Sequence, residues 1–260
     1  MRRILLLAMP ALLAGCGALT PIDELTWSTE LARTLPLEEG KTVEAARFSK
    51  LRAGADSKDG WYPFAIVKGN TPTSYQLVEQ DGTVVIQADS AEGGSGLSRN
   101  IHFDPHRYPI IEWRWRVPRD SGRGGANGPS SVSPPVRLSL AFDGDVARLD
   151  FDDRTKLRMA KVLTANGLPY ASLLYVWLNQ KPVNTLYPSP HTERVRHIVV
   201  ESGEARLDQW VSVRRNVLED YRRAFGEDPG HIVAVGVMTD FGDNNAPRRA
   251  YYGDITFRPE

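Results

Sequence analysis

Four residues in one short stretch carry the chemistry of a hard-cation or sugar-hydroxyl site: Asp240, Asp243, Asn244 and Asn245. Carboxylate and amide oxygens are the ligands Ca²⁺ takes, although the spacing is not that of an EF-hand loop. Asx side chains also build turns by bonding their own backbone, and that plainer reading is the favoured one. Asp254, in the strand that follows, could add one more oxygen. The candidate ligand-binding set is therefore Asp240, Asp243, Asn244 and Asp254. Ca²⁺ is the one cofactor these residues would suit, and no other cofactor is expected.

Other chemistry is thinner. A second acidic group, Asp143, Asp145, Asp150, Asp152 and Asp153, is dispersed and reads as a solvated face. Glycoside hydrolysis needs two carboxylates facing across a cleft. Glu201, Asp220, Asp240 and Asp254 are available, but no spacing pairs them. His102 and His106 have helical spacing, yet Pro105 between them argues against a helix; His191, His197 and His231 are scattered. No Cys/His metal signature follows. Asp240-Phe241-Gly242 spells a kinase tripeptide with none of the other kinase parts, and no nucleophile elbow or phosphate loop occurs. Trp113 and Trp115 share a strand face about 7 Å apart, a spacing that could stack sugar rings. They share that face with Ile111 and Val117, which favours a core role, as for Tyr175 and Trp177. Tyr251 and Tyr252 point to opposite faces, so at least one could be exposed near the rim.

The elements that must position these residues are mostly strands. Ile232 to Met238 reads as a buried strand, and a second returns through Tyr251, Gly253, Ile255 and Phe257 to close a sheet. Ser74–Glu79 and Thr83–Ala88 flank Asp81-Gly82, a strong hairpin signal. Ile111, Trp113, Trp115 and Val117 alternate with Glu112, Arg114 and Arg116, and Val136, Leu138, Leu140 and Phe142 alternate with Arg137, Ser139 and Ala141. Leu173 to Leu178 is apolar on both faces and belongs centrally in a sheet. Arg196–Glu201 and Trp210–Val213 are further strands. Leu157–Leu163 permits one short helix, and Val217, Tyr221 and Phe225 mark a second that ends at Gly226. Roughly ten short strands with frequent turn signals and two short helices predict an all-β fold, a β-sandwich or jelly roll.

The chain has 260 residues with 32 basic and 32 acidic side chains, so no field favours nucleic acid. Arg2 and Arg3 precede a short apolar run, Ile4 to Leu13, which suits a secretory signal and is too short to span a bilayer. The run ends Leu13-Ala14-Gly15-Cys16, similar to a lipoprotein lipobox, and Cys16 is the only cysteine. The expected organisation is a signal peptide over 1–15, a tether over 16–45 and one sandwich over 46–260. Lipid on Cys16 would be the membrane partner, and Gly17 in place of an inner-membrane aspartate predicts an outer-membrane anchor facing the periplasm.

Several segments together resemble a bacterial domain-of-unknown-function family, number 3047: IIEWRWRVP, LPYASLLYVWLN, the run from Arg196 to Asp240, and AYYGDITF. The resemblance implies an envelope protein, a sandwich similar to galactose-binding-like carbohydrate-binding domains, and no established activity. Members carry acidic residues before the strand that starts here at Val136; this chain has Ser133-Pro134-Pro135, which removes that partner for Arg137. The functional expectation is an envelope lipoprotein that binds a carbohydrate or other envelope component without catalysis. The alternatives are a glycan hydrolase or lyase on the same fold, or a structural partner in an envelope assembly.

Overall fold

In the computed structural model the described residues are 40–56, 58–65, 72–91, 94–119, 134, 136–163, 168–179, 181–240 and 248–260. The signal segment, Cys16 and most of the tether lie outside them, as do the Gly/Ser/Pro-rich run after Arg119 and residues 241–247. Thirteen strands are described: β1 (Val43–Ala46), β2 (Tyr62–Ala65), β3 (Ser74–Gln80), β4 (Thr83–Ser90), β5 (Gly94–Phe103), β6 (Ile110–Arg116), β7 (Arg137–Phe142), β8 (Ala171–Trp177), β9 (Leu186–Pro188), β10 (Val195–Glu201), β11 (Val211–Asn216), β12 (Ile232–Asp240) and β13 (Arg248–Arg258). Two helices, α1 (Phe151–Leu163) and α2 (Val217–Phe225), complete the fold. No helix among the described residues is long and apolar enough to cross a membrane.

The strands form a sandwich of two sheets. One runs β11-β6-β13-β4-β3 with β1 also on β13, and the other runs β2-β5-β12-β7-β8-β10-β9. Alternation decides what lies between them: Leu97, Val237, Leu138 and Tyr175 from the seven-stranded sheet meet Ile86, Trp113, Trp115 and Phe257 from the other, all buried. Trp113 and Tyr175 pack across the layers with centroids 5.1 Å apart, as do Phe103 and Phe257 at 4.8 Å. Trp113 and Trp115 are edge-to-face at 82°, inside the core, so they form no sugar platform.

Local chemistry sets the ends. Asp81 (φ 52°) and Gly82 (φ 74°) make the tight β3–β4 turn, both central residues left-handed as a type I′ turn requires. Helix α1 begins six residues earlier than its apolar pattern suggests, because Asp150 caps it by accepting the Asp153 N–H at 2.8 Å. Asn216 caps α2 through the Glu219 N–H, and Gly226 (φ 70°) ends it. The prolines of the edge strands β2 and β9 sit where a missing ladder donor costs least.

Two expectations are corrected. The strands on either side of residues 241–247 do not close one sheet: β12 is in the seven-stranded layer and β13 in the six-stranded one. The connection therefore crosses between layers. Tyr251 and Tyr252 are both buried, at 8% and 1% exposure, so neither ring stands at a rim. Val43–Ala46 pairs antiparallel with β13.

Candidate functional site

The outward face of the seven-stranded sheet is built from the residues that alternate with the core. Successive rungs place Tyr62, Ser98, Gly236, Ser139, Leu174 and His197 side by side across six strands. The next rung carries Phe64, Gly96, Met238, Arg137 and Val176. Small residues dominate the middle strands: Ser98, Gly236, Ser139, Ala234 and Ala141. Bulky ones stand on either side, Tyr62 and Phe64 on β2, then Leu174, His197 and Tyr187 on β8 to β10. Side-chain size alone thus outlines a strip of small residues between bulkier flanks, a shallow trough roughly three strand spacings wide, about 14 Å, in which Ala234, Gly236 and Met238 are buried.

The glycines are there for close approach. A Cβ on Gly96 would lie no more than 2.8 Å from three carbons of the Phe64 ring, so that ring lies flat on the strand. A Cβ on Gly236 would come 2.7 Å from Ser139 Oγ and 3.4 Å from Phe64, which places all four residues on one face. Tyr62 donates its hydroxyl to Asn100 Oδ1 at 2.5 Å, and Ser98 donates to the Val235 carbonyl at 3.1 Å. On the far wall Tyr187 and His197 stack at 4.8 Å and 8°, with Lys181 over the Tyr187 ring at 5.3 Å. Arg137, on the floor, points a guanidinium nitrogen at Met238 Sδ, 3.4 Å away.

Electrostatics follow from that packing. Burial, reinforced by the Arg137 cation, lowers the His197 pKa to about 4, so the ring is neutral at physiological pH. Its Nδ1 is buried with no protein partner among the described residues. Burial pushes the Tyr187 hydroxyl up to about 12, with Arg137 opposing. The two stacked rings of this wall are therefore uncharged at physiological pH.

Of the predicted ligand residues, Asp240 and Asp254 are among the described ones, and they lie on strands of different sheets. Asp240 ends β12, beside the start of β7 and so at one end of the trough; Asp243, Asn244 and Asn245 lie outside the described residues. The backbone entering that stretch is firmly held: the Thr239 N–H donates to Tyr75 Oη at 3.3 Å, its carbonyl accepts from Thr73 Oγ1 at 2.7 Å, and Tyr252 donates to the Met238 carbonyl at 2.7 Å. Asp254 is elsewhere. It lies in a bulge of β13 six residues past Arg248, about 20 Å along a strand. Its oxygens accept from the Ser49 N–H at 2.9 Å and from the Ser49 hydroxyl. It borders a shallow depression of about 330 Å³ on the outer face of the other sheet, with Glu112, Arg114, Ser212 and Arg214. Glu112 is itself paired with Arg258 at 2.6 Å and Arg214 at 3.3 Å.

The remaining carboxylates are likewise engaged. Asp220 is buried, accepting from Tyr175 at 3.0 Å and from Arg215 at 2.8 and 2.5 Å, and Glu201 takes Arg206 at 3.2 Å. Burial and the Asp220 carboxylate together raise the Tyr175 pKa well above that of a free phenol.

What the sequence missed is at the other end of the trough. His102 on β5, Asp143 just after β7 and His231 just before β12 converge, their nearest donor atoms all within 4.8 Å of one another. The scattered histidines thus include a pair that could share a metal. The separation along the chain leaves no local signal that could have found it.

Comparisons with known proteins add the family. A search of curated proteins finds no match to the chain. The chain is similar to the carbohydrate recognition domain of Emp47p, with 14% identity over 86% of this chain and 99% of that one, at a TM-score of 0.43. It is similar to the xyloglucanase domain of NopAA from Sinorhizobium fredii, at 10% identity, 78% and 96% coverage and a TM-score of 0.41. Against the Endo-D glycoside hydrolase domain of Streptococcus pneumoniae R6 the identity is 9% and the TM-score 0.33; 76% of this chain is covered, and it spans 21% of that one. These identities are too low to transfer the role of any residue. The family profile of the protein of unknown function DUF3047 matches residues 59–256, nearly all of the sandwich, and the chain belongs to that family.

Proposed function

We propose that this protein is an envelope lipoprotein, held at the outer membrane through Cys16, whose sandwich binds a carbohydrate or another envelope component without turning it over. The observation that carries the reading is the trough: small residues on three central strands, with Tyr62 and the Phe64 ring folded over Gly96 on one side and Tyr187 and His197 on the other. Sugar rings present an apolar face and a hydroxyl edge, so they suit flat rings beside a guanidinium such as Arg137. The outward positions from Gly96 to Asn100, Ala234 to Met238 and Arg137 to Ala141 carry no Asp or Glu. Hydrolysis of a glycosidic bond needs two carboxylates across the cleft; these positions supply none, and Asp240 stands at one end of the trough.

The test is a glycan array of the full chain in detergent, with and without Ca²⁺. Binding is expected that Tyr187→Ala and Arg137→Gln each abolish while circular dichroism stays unchanged. Binding retained by both variants would refute the trough. Dependence of that binding on Ca²⁺ would return the Asp240–Asn245 stretch to the site. The anchor is tested separately: Cys16→Ser should move the protein out of the membrane fraction.

A further inference from the structure

We propose that His102, Asp143 and His231 form a binding site for a divalent transition metal ion, with Zn²⁺ as the best-suited occupant. The three belong to adjacent strands. Phe103, Ile232 and Phe142 form one inward rung across β5, β12 and β7, and the three candidate ligands are each one residue away from it. Both ladders break register between Ile232 and Ala234, and such bulges re-aim side chains at the ends of sheets.

The donor atoms converge without bonding one another. Asp143 Oδ2 is 3.9 Å from His102 Nε2 and 3.9 Å from His231 Nδ1, both beyond hydrogen-bond reach. The two imidazoles stack beside that carboxylate, 14° from parallel with centroids at 4.5 Å. The other carboxylate oxygen, Oδ1, is fixed by the His231 backbone N–H at 2.6 Å, which leaves Oδ2 as the aimed atom. Two ligands on one tetrahedral Zn²⁺ stand about 3.3 Å apart given bonds of about 2.0 Å. The three donor atoms lie within 4.8 Å of one another, so closing on one ion requires torsions in all three side chains and rotation of one imidazole out of the stack, which their 41–48% exposure allows. Gly230 permits the arrangement, because a Cβ there would run into the Asp143 carboxylate and carbonyl.

Two imidazoles and one carboxylate favour a borderline metal over Ca²⁺ or Mg²⁺, which prefer all-oxygen shells. Three protein ligands leave a fourth tetrahedral position to water. This assignment does not depend on what the trough binds.

The experiment uses the full chain in detergent, purified through a tag without histidine and stripped with chelator. Titration with ZnCl₂ is followed by calorimetry, and with CoCl₂ by visible absorption. One ion per chain is expected, with a Co²⁺ ligand-field spectrum and no competition from millimolar Ca²⁺. His102→Ala, His231→Ala and Asp143→Asn should each weaken Zn²⁺ binding at least tenfold with unchanged circular dichroism. His191→Ala, outside the cluster, should stay within twofold. Absence of stoichiometric uptake by the parent would overturn the site, as would His102→Ala and His231→Ala variants that bind within twofold of it.

Discussion

Replacing Gly96 by Ala tests whether the Phe64 ring truly lies on the floor of the sheet. The added methyl would stand no more than 2.8 Å from three ring carbons, where carbon atoms normally meet at about 3.5–4.0 Å. Gly96 is not in the left-handed region, so backbone strain contributes nothing and the clash alone sets the cost. The ring must swing away, forfeiting packing worth about 1–2 kcal/mol for a half-buried aromatic. In a domain of this size that is a fall in Tm of about 3–6 °C. In a Phe64→Ala background the obstacle is gone, and Gly96→Ala should then stabilise by about 0.5 kcal/mol, because alanine has less unfolded-state freedom to lose. The two changes should therefore couple by about 2 kcal/mol. Urea unfolding of the four proteins of the cycle, with m-values checked for constancy, measures it. An alanine at 96 that costs the same in both backgrounds would refute the packing and, with it, this wall of the trough.

Two further outcomes follow from buried ionisable groups. His197 has a folded pKa of about 4 against 6.5 unfolded, so between those values the unfolded chain binds the extra proton and stability falls as pH drops. From pH 7 to pH 5 the loss from this residue should be about 1–2 kcal/mol after allowance for its partial exposure, and His197→Phe should show a correspondingly smaller loss in paired urea titrations. An equal loss in parent and variant would show that His197 is not the source. Asp220→Ala should destabilise by about 3–5 kcal/mol, because it strands the Tyr175 hydroxyl in the core and removes the partner of the half-buried Arg215 guanidinium. Thermal melts should show Asp220→Asn falling less, since it still accepts from Tyr175.

The sequence by itself determined what depends on near neighbours in the chain. Alternation along Ile111–Val117 and Val136–Phe142 decided which residues face the core, because successive side chains in a strand must point to opposite faces. Asp81-Gly82 determined a hairpin, and Asn216 with Gly226 bounded a helix, because caps and turns are local hydrogen-bonding problems. The apolar character of both faces of Leu173–Trp177 correctly placed that strand inside a sheet, with Val176 and Val199 buried on its outer side. Sheet membership was beyond it. Nothing in a strand's own pattern says which other strand it will pair with, so β12 and β13 looked like partners and lie in different layers. The same holds for the parallel pairing of β8 with β10. The side chains that matter most for chemistry were decided by that pairing. His102, Asp143 and His231 meet only because β5, β12 and β7 are neighbours, and Asp254, which looked free to bind a ligand, is held by Ser49 of an element far away in the chain. Convergence of distant residues is a property of strand order and register, which the packing of the whole sandwich fixes.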